Sequence, residues 1–277
     1  MGVGSGYTQK DVQELARILT GVGINMNQAT PKLPPKLRAL YLSDGLFQFD
    51  PRRHDFGEKV FLGHKIAGSG FPEVEQALDI LAREPATARH VSQQIAVYFV
   101  GDAPPPALVS QMAQTFQRTD GDIASVLQTL FSSPAFDKSL GNVFKDPRHF
   151  TVSAVRLTYG DQTISNPAAL VRWLDWMGEV PNNHQTPDGY PMTSSAWNGP
   201  GQMAVRFDFA HAIGSGGIGL LATGGAPKTP APPLKPVVNR IGIEGLLSSQ
   251  TKAALDHAGT PRSWNALFLS SPQFMHR

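Results

Sequence analysis

The stretch PALVSQMAQTFQRTDGDIASVLQTLF, residues 106–131, decides the fold. Leu108, Met112 and Phe116, then Ile123, Val126, Leu127 and Leu130, recur at the three- and four-residue spacing that lines one face of an α-helix. The pattern continues on both sides. Val74, Leu78 and Leu81, then Val91, Ile95 and Phe99, precede it, with prolines at 72, 85 and 104–106 as punctuation. After it, Pro147 opens a candidate helix through Val155 and Tyr159, and Asn166-Pro167 is a cap and first-turn pair for one reaching Gly178. Pro200 then precedes Met203, Phe207 and Ala210, and two closing helices run from Ile243 to His257 and from Thr260 to Ser270. At the other end, Thr8 with Asp11 approximates a capping box for a helix carrying Val12, Leu15, Ala16 and Leu19. The pattern predicts a mainly α fold, a multi-helix orthogonal bundle.

One region departs from that period. Leu46 to Phe49 and Lys59 to Leu62 alternate like strands, and we expect a small β-hairpin near 46–62 carrying the Arg-Arg-His-Asp-Phe-Gly motif and presenting His54 and Asp55 in its loop. Residues 1–213 then form one helical domain. A Gly- and Pro-rich loop or linker follows at 214–236, and helices within 237–277 pack on the same domain. Leu130 to Phe136 and Phe268 to Phe274 echo one another around Ser-Ser-Pro, which reads as a repeated helix stop.

The chain has 277 residues and 41% hydrophobic content, enough for a real core. Its 24 basic and 22 acidic residues are spread along the chain and offer no basic track for a nucleic acid. The absence of cysteine removes disulfides, thiolate metal sites and a cysteine nucleophile. No window approaches the ~18 uninterrupted apolar residues of a membrane span. Glycine-flanked serines such as Ser5, Ser69 and Ser215 lack a strand-to-helix setting, and no phosphate loop or dinucleotide fingerprint occurs, so no nucleotide cofactor is expected.

The segment from Arg52 to Gly63 carries the densest chemistry, and three readings fit it. His54 and Asp55 suit a divalent metal, with further ligands from His64, His149, His184 or His211, and Glu58 as ligand or general base. Alternatively, Arg52, Arg53, Asp55, Glu58 and Lys59 form an ionic clasp holding the hairpin to helices. Third, Arg52, Arg53 and Lys59 bind an anion or a sugar. Elsewhere, Tyr190 and Trp197 lie among Gly, Pro and Ser and are candidates for a binding surface, whereas Trp173 reads as core.

Taken together, Gly6 to Gly21, the Arg52 to Gly63 motif, Pro85-Ala86-Thr87-Ala88-Arg89, Phe99-Val100, the two Ser-Ser-Pro stops and Gly189 to Arg206 resemble the bacterial DUF1800 family. In that family a stretch like Gly2 to Gly6 lies in mid-chain, so the resemblance implies a truncated chain, the C-terminal portion of a longer protein. Members commonly carry export signals and are often encoded beside a DUF1501 protein. The resemblance therefore implies a periplasmic or secreted protein with a DUF1501-type partner. Val22 stands where the family often has tryptophan, and no catalytic residue transfers. The leading expectation is an envelope-associated accessory protein engaging a protein or glycan; the alternative is a metal-dependent hydrolase using His54 and Asp55.

Overall fold

Thr8 starts the first helix as the sequence predicts. In the computed structural model, which describes residues 1–2, 4–27, 29–217, 219–220 and 233–277, α1 spans Gln9–Ile18. The Thr8 hydroxyl accepts from the Asp11 amide at 3.2 Å and the Asp11 carboxylate accepts from the Thr8 amide at 2.8 Å, satisfying two donors that the helix end leaves open. Mainly helical structure follows, and the chain divides into two units.

The first unit comprises residues 1–95 and 106–132. After α1 come β1 (Val22–Ile24), β2 (Leu42–Asp44) and β3 (Phe47–Phe49), which form an antiparallel sheet in the order β1-β3-β2. A separate ladder joins β4 (Val60–Phe61) to β5 (His64–Lys65), and the helices α2 (Phe71–Arg83), α3 (Pro85–Val100), α4 (Pro106–Arg118) and α5 (Ile123–Phe131) follow. The last turns of α3 fall within the second unit. Ile18, Phe61, Ile66, Val74 and Ala77 form a buried cluster that ties α1 and β4 to α2.

The two strand-like segments do not pair with each other, which corrects the expected hairpin. β3 pairs with β2 across Gly45 and Leu46, and β4 pairs with β5 across Leu62 and Gly63, both at positive φ (48° and 79°). Two-residue turns of that hand match strand twist, and short loops close at lower entropic cost than the connection from Phe49 to Val60 would. The polar motif therefore links two small sheets, and its Arg-Arg pair lies in a 3₁₀ turn, Pro51–Arg53.

The second unit comprises residues 96–105 and 133–277. It contains α6 (Pro134–Ser139), α7 (Pro147–Tyr159), α8 (Ala168–Trp176), α9 (Pro200–Gly214), α10 (Lys235–Arg240), α11 (Ser249–Asp256) and α12 (Pro261–Leu269). Phe150, Phe209, Ile213, Phe268 and Leu269 centre its core. Trp173 packs against Phe209 at 5.4 Å, whereas Trp176 on the same helix is exposed. The helix expected from Ile243 to His257 is broken, because Ser248 caps α11 by accepting from the Thr251 amide at 3.1 Å, leaving a separate 3₁₀ turn at Ile243–Leu246. Asn166 does not cap α8; its backbone amide donates to Leu220 O at 3.0 Å instead.

Of the expected linker, residues 218 and 221–232 lie outside the described residues. The flanks on either side are held by one buried side chain. Asn265 of α12 accepts from the Leu234 amide at 2.9 Å and donates to Gly214 O at 3.1 Å. Both Ser-Ser-Pro stops have the same local geometry: Ser132 and Ser270 end a helix, and the hydroxyls of Ser133 and Ser271 accept from the amides of Phe136 and Phe274, each at 3.2 Å.

Candidate functional site

In the first unit, Arg52, Asp55 and Lys59 are held by partners that the sequence did not single out. Arg52 grips Asp50, with Nη2 to Oδ2 at 2.7 Å, and this holds the Asp50 carboxyl below its usual range. Asp55 faces Arg17 of α1 at 2.8 Å and accepts from the Gly57 amide at 2.8 Å; that guanidinium and that amide pull its pKa down to about 2. A Cβ at Gly57 would lie 2.8 Å from Nη2 of Arg17, so a larger residue there would displace the guanidinium that pairs with Asp55. Lys59 and Glu73 of α2 are both buried, and Lys59 Nζ donates to Glu73 Oε2 at 2.7 Å and to the carbonyls of Asp55 and Gly57.

His54 is enclosed in the same cluster. Its Nδ1 lies 2.8 Å from Thr20 O, and because a carbonyl only accepts, Nδ1 carries the hydrogen. Nε2 points at Glu73 Oε2 from 3.4 Å without a hydrogen-bond partner. His54 Nδ1 and the Asp55 carboxylate are thus occupied by other groups, and Glu58 is exposed, its carboxylate facing Lys65 at 3.9 Å. Among the described residues, no three His, Asp or Glu side chains are grouped to hold a metal ion. Arg53 is exposed.

The second unit places the Tyr190 to Trp197 segment beside a depression. Trp197 is buried, and its indole N–H donates to Pro191 O at 2.8 Å; Tyr190 donates its hydroxyl hydrogen to Val180 O at 2.9 Å. The two aromatics brace the loop from within. What they present outward is Ser194 and Asn198. Asp102 clamps Ser194, accepting from its amide at 2.9 Å and from its hydroxyl. These residues line a cavity of about 310 Å³ together with Asn142, Phe144 and His276.

Two buried cations lie behind Phe144. Arg206 is fully buried with its guanidinium carbon 4.8 Å from the Phe144 ring, and it donates to Lys145 O at 2.7 Å. Lys145 donates to Phe274 O at 2.6 Å and lies 4.0 Å from that ring's centre. Burial pushes Arg206 down to about 10, against opposing carboxylates at Asp146 and Glu179; burial, with repulsion from Arg206 and Arg277, pushes Lys145 down to about 8. Burial also raises Glu179, which accepts from the Arg148 amide at 2.9 Å. Nearby, His149 joins Asp146 at 2.7 Å to Tyr98 at 3.0 Å. Sequence reasoning missed Arg17, Glu73, Asp102 and Arg206. The available signal was weak: an arginine inside the otherwise apolar run from Met203 to Phe207, and a glutamate in the first turn of α2.

This helical scaffold, with its two small sheets and inward-turned polar motif, belongs to a family defined by sequence. The family DUF1800, described as "Protein of unknown function (DUF1800)", matches residues 1–276, and the chain is a member of it. No curated protein and no solved structure matches the chain. Among the described residues, no helix is long and apolar enough to cross a membrane.

Proposed function

We propose that this protein is a non-catalytic accessory protein of the cell envelope or exterior, periplasmic or secreted, that engages a glycan through the 190–198 loop. The observation that carries this reading is the cavity beside that loop, where the Asp102 clamp fixes Ser194. The Arg52 to Lys59 motif has a structural part in it, because Arg52, Asp55 and Lys59 are paired with Asp50, Arg17 and Glu73. Export and a DUF1501-type partner rest on the habits of the family that the sequence resembles. Nothing in the geometry of His54, Asp55 and Glu58 favours metal-dependent hydrolysis over this reading.

A ligand selective for the folded state raises its melting temperature. The test is a thermal-shift screen with neutral and acidic oligosaccharides, followed by chromatography of each sugar after prolonged incubation. The expected result is a shift with at least one sugar and no cleavage. Cleavage products, or no shift with any sugar, would overturn the proposal.

A further inference from the structure

We infer that the cavity lined by Asp102, Asn142, Ser194, Asn198, His276 and Phe144 takes one uncharged, hydroxyl-rich ring, the terminal residue of a neutral oligosaccharide. The inference rests on the reading of the protein as a glycan-binding accessory and names the site and the class of sugar. At about 310 Å³ the cavity is at the small end of ligand sites, suited to a single ring rather than a long chain.

Its hydrogen-bonding groups are mostly acceptors. His276 Nδ1 donates to Pro272 O at 2.7 Å, so Nε2 is the accepting nitrogen. Asn142 Nδ2 donates to Lys138 O at 2.9 Å, leaving its amide oxygen to accept. Asp102 spends its carboxylate on Ser194 but retains lone pairs, since each carboxylate oxygen accepts more than one hydrogen bond. The Asn198 side chain is exposed, forms no hydrogen bond among the described residues, and supplies both a donor and an acceptor. A row of acceptors with one amide donor matches sugar hydroxyls, each of which donates one hydrogen and accepts others. Phe144, set edge-on to His276 at 5.4 Å, gives an apolar wall for the C–H face of the ring.

Charge narrows the class from both sides. Asp102 lines the cavity and neither Lys nor Arg does, so a carboxylate or phosphate on the ligand meets an acidic group and finds no basic side chain on the cavity wall to pair with. Behind Phe144 are the buried Arg206 guanidinium, 4.8 Å from the ring, and Lys145, which oppose a cationic ligand. A neutral ring satisfies both constraints.

The test is calorimetric titration of the full chain with cellotriose, maltotriose, xylotriose and chitotriose, and with trigalacturonate as the anionic comparison. One neutral trisaccharide is expected to bind, and Asn198→Ala, an exposed substitution with little bearing on folding, weakens it about tenfold through the lost hydrogen bonds. Asp102→Asn, checked for an unchanged melting temperature, admits trigalacturonate severalfold better than the wild type does. The inference is overturned if no neutral trisaccharide binds, or if trigalacturonate binds the wild type as tightly. It is also overturned if Asn198→Ala and His276→Ala both leave the affinity unchanged; in that case glycan binding lies elsewhere on the chain, and the broader accessory reading stands.

Discussion

Lys59 Nζ lies 2.7 Å from Glu73 Oε2, with the two side chains 1% and 5% exposed, so the centre of the polar motif is a buried ion pair between a loop and α2. Removing one member leaves the other charged and enclosed. Lys59→Met is therefore expected to destabilise the protein by about 3–5 kcal/mol in chemical denaturation, and Lys59→Met with Glu73→Leu to recover most of that loss. Equal destabilisation of the single and double variants would mean that the pair does not act as a unit.

Asp55 sets an acid-side dependence. Its folded pKa of about 2 is below the ordinary 3.8, so its contribution is fully present above 3.8 and is lost as the pH falls from there toward 2. Denaturation midpoints of wild type and Asp55→Asn should converge across that window and stay a constant distance apart above it.

Lys145 acts in the same sense on the alkaline side. Its folded pKa of about 8 is below the ordinary 10.5, so between those values the unfolded chain binds the extra proton and stability rises with pH, by something of the order of 3 kcal/mol in all. Lys145→Met should remove that rise, as measured by denaturant titration from pH 7 to 10.5.

Asn265 bonds to both Leu234 and Gly214 from a buried position. Asn265→Leu keeps the branched shape but strands a buried amide and a buried carbonyl, and is expected to cost about 1–3 kcal/mol for each group left unpaired. Asn265→Gln, with the same chemistry on a longer arm, should fall between.

Most of the helices were legible because their apolar residues recur at a helical period and their ends carry chemical stops, such as Thr8 with Asp11, Thr260 with Pro261, and the paired serines at 132–133 and 270–271. The strands were legible only as strands. Which segments paired was decided by the two-residue turns at Gly45-Leu46 and Leu62-Gly63, a local feature that outweighed the similarity of the two flanking runs. Of the two candidate regions, the motif was visible as a concentration of charge, but its partners Arg17 and Glu73 are 38 and 14 residues from Asp55 and Lys59 respectively. Asp102 is 92 residues from Ser194. Such pairings arise from tertiary packing, and neither period nor spacing encodes them. Tyr190 and Trp197, expected at a surface, instead brace their loop from inside, while Ser194 and Asn198 line the cavity.

The most direct measurement of the central claim is hydrogen–deuterium exchange of the full chain with and without a saturating trisaccharide chosen from the thermal-shift screen. Engagement at the cavity predicts slower exchange in peptides spanning 100–103, 142–144 and 194–198, with the 52–59 segment unchanged. Protection centred on 52–59, or none at 194–198, would contradict it.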